Sequence, residues 1–149
     1  MKRVKKLKFT KKRKRKSKVK FYVYQGLKCQ GKKELRFIKE CVRYKKTLPI
    51  KADRIETPDG YYTPDFEYYE EYIEIKSLGT FKVMLGLQAY KGIGEPSDLQ
   101  FRKIKWVAKN VKPIAIIVYL GSRESKPNIH IKEENITVTF KGGYKKKKS

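Results

Sequence analysis

The sequence predicts an α/β domain in which a mixed β-sheet of about five strands is flanked by helices. Three observations support this prediction. Apolar residues recur at helical spacing within residues 31–45, and aromatic and β-branched residues crowd residues 61–77. The continuous apolar run at 114–120 follows a second helical pattern. A buried strand that is reached through a helix fits a parallel neighbour, so the sheet should contain both strand directions.

Positive charge is concentrated at the two ends of the 149-residue chain, whose formal net charge is +24. Residues 1–20 hold thirteen Lys or Arg and residues 141–149 hold five, and neither segment contains an acid. We therefore expect a basic arm at 1–17, a single domain at 18–140 and a basic tail at 141–149. Such blocks repel themselves until a polyanion neutralises them, and nucleic acid is the natural polyanion.

The densest part of the arm is the run Lys11, Lys12, Arg13, Lys14, Arg15 and Lys16, which we expect to contact nucleic acid. Composition alone leaves two alternatives open, a solubilising or membrane-surface tail and a nuclear localisation signal. No apolar run approaches the ~20 residues of a membrane span, and no apolar segment follows the basic N-terminus. We expect no membrane partner, a cytoplasmic location and free thiols at Cys29 and Cys41.

The predicted elements follow in chain order. A first strand covers 18–25, and the first helix covers 31–45 with Leu35, Ile38, Cys41 and Val42 on its buried stripe. A connector at 48–60 ends in the turn sequence Thr57-Pro58-Asp59-Gly60. Residues 78–94 form a short helix or loop. A second helix begins near Glu95, with a buried stripe formed by Leu99, Ile104, Val107, Ala108 and Val111. Strands at 114–120, 129–131 and 136–140 close the sheet.

The segment 61–77 predicts two antiparallel strands with one packing face and one polar face. With a two-residue loop at Tyr69-Glu70, Tyr68 faces Glu71, and the same register sets Asp65 opposite Glu74. Side chains that lie opposite each other are roughly 5 Å apart at Cβ. Lys76 shares the face of Glu74 because it lies two residues further on. The other face carries Pro64, Phe66, Tyr68, Ile73 and Ile75, which suit burial against a helix.

Facing carboxylates repel each other, and a bridging hard cation is the simplest way to offset that cost. Mg²⁺ binds one or two carboxylates, keeps several waters and accepts phosphate oxygens. The ammonium of Lys76 supplies a compact positive charge that can hold a phosphate or polarise a water. Asp65, Glu74 and Lys76 therefore form a candidate centre for metal-assisted chemistry on a phosphate.

Pro64-Asp65, followed nine residues later by Glu74-Ile75-Lys76, resembles the signature of the PD-(D/E)XK nuclease superfamily. The fuller strings Tyr-Thr-Pro-Asp-Phe and Tyr-Ile-Glu-Ile-Lys are similar to small phage-type endonucleases and Holliday junction resolvases of that superfamily. The superfamily also has an upstream helix glutamate, which Glu34 matches. A carboxylate in the first helical turn that favours the helix dipole is the alternative interpretation of Glu34.

This resemblance implies a restriction-endonuclease-like fold and Mg²⁺-dependent hydrolysis of DNA phosphodiester bonds, with Mn²⁺ as an alternative ion. It implies that Asp65, Glu74, the Ile75 carbonyl and Glu34 hold metal, and that Lys76 acts with them in catalysis. Branched or junction DNA is the expected substrate, and a homodimer is expected because cutting both strands commonly needs two sites. A non-catalytic basic nucleic-acid-binding protein, similar to ribosomal or packaging proteins, is the rival hypothesis.

Several other charged residues compete with these assignments. Glu67 shares the polar face of the hairpin and would replace Asp65 if the register were different, whereas Asp53, Glu56 and Asp59 lie in the connector. Glu40 is expected to be solvated, and His130 is expected to have a surface or core role rather than that of a general base. Lys82, Arg102 and Lys105 are candidate phosphate contacts.

Overall fold

The computed structural model describes residues 21–87 and 97–143, without the side chains of Ser97 and Asp98. Within these ranges the chain forms strands β1 to β9 and helices α1 to α3. Helix α1 continues directly into a π-helical turn at Cys41–Lys45. In chain order the elements are β1 (Phe21–Tyr24), β2 (Leu27–Gln30), α1 (Lys32–Glu40), β3 (Ile50–Lys51), β4 (Ile55–Thr57), β5 (Gly60–Tyr62), β6 (Phe66–Tyr68), β7 (Glu71–Ser77), α2 (Leu78–Met84), α3 (Ser97–Asn110), β8 (Ile114–Leu120) and β9 (Ile136–Gly142).

The central sheet has five strands in the order β3-β6-β7-β8-β9. Strand β6 runs antiparallel to β3 and β7, whereas β8 runs parallel to β7 and β9. Helix α3 carries the chain from β7 to its parallel neighbour β8, which confirms the mixed sheet and the helical crossover predicted from the apolar run. Hairpins β1-β2 and β4-β5 form two separate two-stranded sheets.

The β6–β7 hairpin has the predicted register. Phe66 pairs with Ile73 and Tyr68 pairs with Glu71, which sets Asp65 opposite Glu74. Both loop residues, Tyr69 and Glu70, have left-handed φ values of 54° and 67°. Such a loop normally uses Gly or Asn, because other side chains are strained in this region. The Tyr69 ring packs edge-on against the Tyr68 ring at 4.6 Å, which fixes the loop by side-chain contact instead.

The two faces of the sheet bury different helices. On one face, α2 and α3 cover alternate residues of β7 and β8, with Phe81, Ile104 and Ile116 completely buried. On the other face, α1 packs Phe37 and Ile38 against Phe66. Phe66 and Ile73 therefore lie on the packing face that the hairpin pattern predicts. Glu74 and Lys76 lie on the opposite face, among the residues covered by α2 and α3.

The differences from the predicted elements lie in short or exposed segments. Strands β3 and β4 fall within the predicted connector, β2 lies between the predicted first strand and first helix, and residues 129–131 form no strand. Val111 follows α3 and is exposed rather than part of a buried stripe. Strand β9 continues to Gly142 and so includes the first two residues assigned to the tail. The predicted arm with residues 11–16, and the predicted helix start at Glu95, lie outside the described residues.

Two smaller predictions concern the thiols and membrane spans. Cys29 and Cys41 are both free and buried, as expected for two cysteines without a paired spacing. Across residues 21–87 and 97–143, none of the helices has the length and apolar character needed to cross a membrane.

Candidate active site

The candidate site lies where β6 begins beside the middle of β7. Strand β7 has neighbours on both sides, so its central residues are shielded from water by β6, β8 and the covering helices. Asp65 precedes the first residue of β6, and its N–H donates to the Ile73 carbonyl at 3.0 Å. Sheet pairing thus fixes Asp65 and Glu74 at adjacent positions on neighbouring strands.

The Asp65 carboxylate is held by the backbone of β7. Its Oδ2 accepts a hydrogen bond from the Ile75 N–H at 2.7 Å. Burial raises the pKa of Asp65 to about 8, and the negative charge of Glu74 adds to the rise, whereas the Ile75 hydrogen bond opposes it. Asp65 is therefore a partly buried acid whose ionised form is disfavoured by its surroundings.

Glu74 accepts two polar contacts from different elements. The hydroxyl of Tyr62, at the end of β5, donates to Oε1 at 2.5 Å, and the Lys76 ammonium lies 3.5 Å from Oε2. Burial raises the pKa of Glu74 even though Lys76 and Tyr62 act to lower it. Burial, followed by the charge of Glu74, also raises the pKa of Tyr62. Tyr62 is thus a neutral donor that orients one oxygen of Glu74.

Lys76 is buried, with only 9% of its surface exposed. Its ammonium donates to the side-chain oxygen of Gln100 in α3 at 2.8 Å, in addition to its ion pair with Glu74. The amine is therefore held within the candidate site rather than paired elsewhere. Lys76 pairs with Glu74 and acts to lower the pKa of Asp65, but burial and the charge of Glu74 outweigh that effect on Asp65.

Glu34 approaches from α1, which covers the opposite face of the sheet. Its Oε1 accepts from the Gln30 N–H at 2.9 Å and lies 3.6 Å from the ammonium of Lys51. The charge of Glu34 contributes to the raised pKa of both Asp65 and Glu74, so it lies within electrostatic range of the two acids. The hydrogen bond from the Gln30 N–H also ties Glu34 to the start of α1. The contacts of Glu34 are therefore compatible both with a structural role at the start of the helix and with a role near the site.

The predicted metal ligands are only partly assembled. Among residues 21–87 and 97–143, no group of three or more His, Cys, Asp and Glu side chains is arranged to hold a metal ion. The Ile75 N–H points towards Asp65, and the carbonyl of a strand residue projects from the same side of the strand as its N–H. The buried carboxylate of Glu74 and the partly buried carboxylate of Asp65, both with raised pKa values, lie next to a backbone carbonyl and form the type of oxygen donor set that suits a hard cation.

Three of the other acids, Glu67, Asp59 and Glu40, have partners outside the candidate site. Glu67 forms an ion pair with Lys112, and Asp59 accepts from Arg102 at 2.7 Å. Glu40 is not simply solvated as expected. It accepts from the Tyr119 hydroxyl at 2.9 Å and from Lys141 at 3.0 Å, and these bonds lower its pKa although burial acts in the opposite direction. His130 is exposed and contacts Asn128, in agreement with the predicted surface role.

The candidate phosphate contacts within the described residues lie on α2 and α3. Lys82 is half-buried in α2, and the Lys105 ammonium lies 4.7 Å from the centre of the Phe101 ring. Arg102 is exposed, forms an ion pair with Asp59 and makes further contacts. Their assignment to nucleic acid stays a prediction.

Sequence reasoning missed Tyr62 and Gln100, the two neutral residues that contact Glu74 and Lys76. Tyr62 lies 12 residues before Glu74, and Gln100 lies 24 residues after Lys76, so no local spacing connects them. A buried lysine and a buried carboxylate need hydrogen-bond partners. Polar residues that interrupt an apolar pattern are the candidates for such partners, and this rule could have identified Gln100. Gln100 occupies such a position in α3, close to Leu99 and Ile104.

We compared the chain with protein-family models, curated proteins and solved structures, and none of them matches it.

Proposed function

We propose that this protein is a metal-dependent endonuclease that hydrolyses phosphodiester bonds in DNA, with a restriction-endonuclease-like arrangement of its five-stranded sheet. One observation carries the proposal: Asp65, Glu74 and Lys76 converge from adjacent strands in a buried site. Buried ionisable groups that gain no net stability from their burial point to a functional role.

The energetics of the site support a cation. Burial and mutual repulsion disfavour ionisation of Asp65 and Glu74, and Lys76 only partly offsets this. Asp65, Glu74 and the Ile75 carbonyl would hold the ion, with Glu34 close enough to add charge or to orient a water. Bound Mg²⁺, or Mn²⁺ in its place, would lower the pKa of a coordinated water and neutralise phosphate charge.

The chain's own groups have separable roles in this proposal. Lys76 touches the substrate and stabilises the negative charge that develops on the phosphate. Gln100 is a positioning residue, because its side-chain oxygen holds the ammonium of Lys76 at 2.8 Å. Tyr62 is a second positioning residue, since its hydroxyl occupies Oε1 of Glu74 and leaves Oε2 directed to the site.

The basic ends of the chain supply sequence-independent affinity for DNA in this proposal, since they carry 18 of the 24 net positive charges. Branched or junction DNA as substrate, a homodimer that carries two sites, and an intracellular location belong to the same proposal. The charge distribution equally favours the rival, a basic nucleic-acid-binding protein without catalysis. That rival does not explain why Asp65, Glu74 and Lys76 converge.

A cleavage panel tests the proposal. Supercoiled, linear, nicked, flapped and four-way DNA are incubated with Mg²⁺ and with EDTA, using wild type, Asp65→Asn and Lys76→Met. Glu67→Gln is the matched control, because Glu67 lies on the same hairpin and pairs with Lys112 outside the site. We expect Mg²⁺-dependent cutting by wild type and Glu67→Gln, and a loss of about 100-fold or more in the other two. Equal cutting by all four proteins would rule out the roles assigned to Asp65 and Lys76, and cutting by none would support the rival.

A further inference from the structure

Helix α1, which covers the face of the sheet opposite to Glu74 and Lys76, forms one wall of an open groove. The groove has a volume of ≈ 550 Å³ and is also lined by Tyr22 of β1 and by Tyr44 of the π-helical turn. Leu35 contributes an apolar patch to its surface. A concave surface of this size is large enough for a nucleotide-sized group, since ligand sites span roughly 300–1,000 Å³.

A basic stripe runs along the exposed side of α1 and into the π-helical turn, formed by Lys32, Arg36 and Lys39 of α1 and Arg43 of the turn. These four residues follow the i, i+4, i+7, i+11 spacing of one helical face and all line the groove. Over eleven residues the stripe extends about 16 Å. Among the described residues that line the groove, Glu40 is the one acid, and it is already paired with Arg36 at 3.1 Å. The groove therefore presents positive charge along a line, which fits the regularly spaced phosphates of a nucleic-acid strand.

Aromatic rings alternate with this charge. The Tyr44 ring is 69% exposed, and the guanidinium of Arg43 lies 5.4 Å from its centre. The ammonium of Lys39 lies 5.7 Å from the centre of the Tyr24 ring. Proteins that bind single strands combine a basic groove with aromatic side chains on which unpaired bases stack. A duplex keeps its bases stacked internally and offers such rings nothing to stack on.

We propose that this groove binds an unpaired strand of DNA, with phosphates along the basic stripe and a base stacked on Tyr44. The inference rests on the proposed function in taking DNA as the substrate, and it narrows the substrate to DNA with a single-stranded segment.

The test measures binding without cleavage. In an Asp65→Asn background, fluorescence anisotropy compares labelled oligothymidylate of about 12 nucleotides with a duplex of equal length. Moderate salt weakens the non-specific contribution of the basic ends to both ligands. Tyr44→Ala removes the stacking ring, and Tyr44→Phe retains it. Tyr61→Ala is the matched control: Tyr61 is also an exposed tyrosine with an arginine over its ring, at 4.1 Å, but it lies on the β4-β5 hairpin.

We expect Tyr44→Ala to weaken binding of the single strand about fivefold or more while duplex affinity changes less than about twofold. Tyr44→Phe and Tyr61→Ala should bind as the parent does. Equal weakening of single strand and duplex, no weakening, or the same effect from Tyr61→Ala would overturn the inference. If the cleavage panel shows no hydrolysis while the groove keeps its single-strand preference, the enzymatic proposal alone fails.

Discussion

Two glutamates of the β6–β7 hairpin each pair with a lysine, and the two pairs differ in burial and in their neighbours. Glu74 and Lys76 have side-chain exposures of 7% and 9%, and a second carboxylate, Asp65, lies beside them. Glu67 and Lys112 are about 30% exposed, and their pairing raises the pKa of Lys112 above its usual value. The comparison teaches that pairing alone does not mark function. An unbalanced second acid in a site shielded from water does, because such a site is unfavourable unless something else binds there.

The two glutamate–lysine pairs should differ most in how removal of the lysine affects the rate of DNA cleavage. Lys76→Met should lower the rate of Mg²⁺-dependent DNA cleavage about 100-fold or more, since it removes the charge that stabilises the reacting phosphate. Lys112→Met should leave the rate within about threefold. Rates are measured at saturating DNA, and thermal unfolding checks that both variants fold. A similar loss for both lysines would remove the distinction between the pairs.

The next prediction concerns the free energy of unfolding in the absence of divalent cations. Neutralising Asp65 should raise it, whereas neutralising Glu67 should lower it. At pH 8 in EDTA, Asp65→Asn should raise the free energy of unfolding by on the order of 2 kcal/mol, because it removes a charge disfavoured by burial. The Asn side-chain oxygen can still accept the Ile75 N–H. Glu67→Gln should lower the free energy by less than about 1 kcal/mol, as for a partly exposed pair. Urea unfolding measures both, and destabilisation by Asp65→Asn would contradict the account.

The pH dependence of the wild-type protein follows from the same shift. In the folded state the pKa of Asp65 is raised from its ordinary value of 3.8 to about 8, so the folded protein holds a proton that the unfolded chain has lost. Stability should therefore fall as pH rises from about 4 to about 8 in EDTA. Asp65→Asn should flatten this slope, and Glu67→Gln should retain it. An unchanged slope in Asp65→Asn would assign the effect to other groups.

The smallest expected effect is the coupling between Glu67 and Lys112. A double-mutant cycle with Glu67→Gln and Lys112→Met should give a coupling free energy of about 0.2–1 kcal/mol, which increased salt reduces. Urea unfolding at pH 7 in low and high salt measures this value. A coupling of several kcal/mol would mean that this pair is also strongly shielded from water, contrary to its exposure.

The parts of the site that the sequence predicts are those governed by strand periodicity. Alternation and loop length place Asp65 opposite Glu74 and put Lys76 on the same face, and the β6–β7 register confirms that placement. Helical spacing likewise predicts Ile38 and Cys41 in the core, where both are buried, whereas the predicted stripe did not include the buried Phe37. In both cases the physical cause is local, because backbone geometry alone decides which side chains share a face.

The remainder depends on contacts between residues that are distant in sequence. Strand β3 has only two residues, so it leaves no periodic pattern to detect. The hydrogen bond from Lys76 to Gln100 and the burial of Lys103 follow from how α3 docks on the sheet and on the β4-β5 hairpin. The three contacts of Glu40 likewise arise from α1, β8 and β9 together. No spacing rule describes such docking.

Cation binding tests the central claim most directly. Thermal unfolding is followed at pH 8 as Mg²⁺ or Mn²⁺ is titrated into wild type, Asp65→Asn, Glu74→Gln and Glu67→Gln, since an ion that binds only the folded state raises the unfolding temperature. The account predicts a saturable rise for wild type and Glu67→Gln, and none for Asp65→Asn or Glu74→Gln. The same rise in all four proteins, or no rise in wild type, would contradict it.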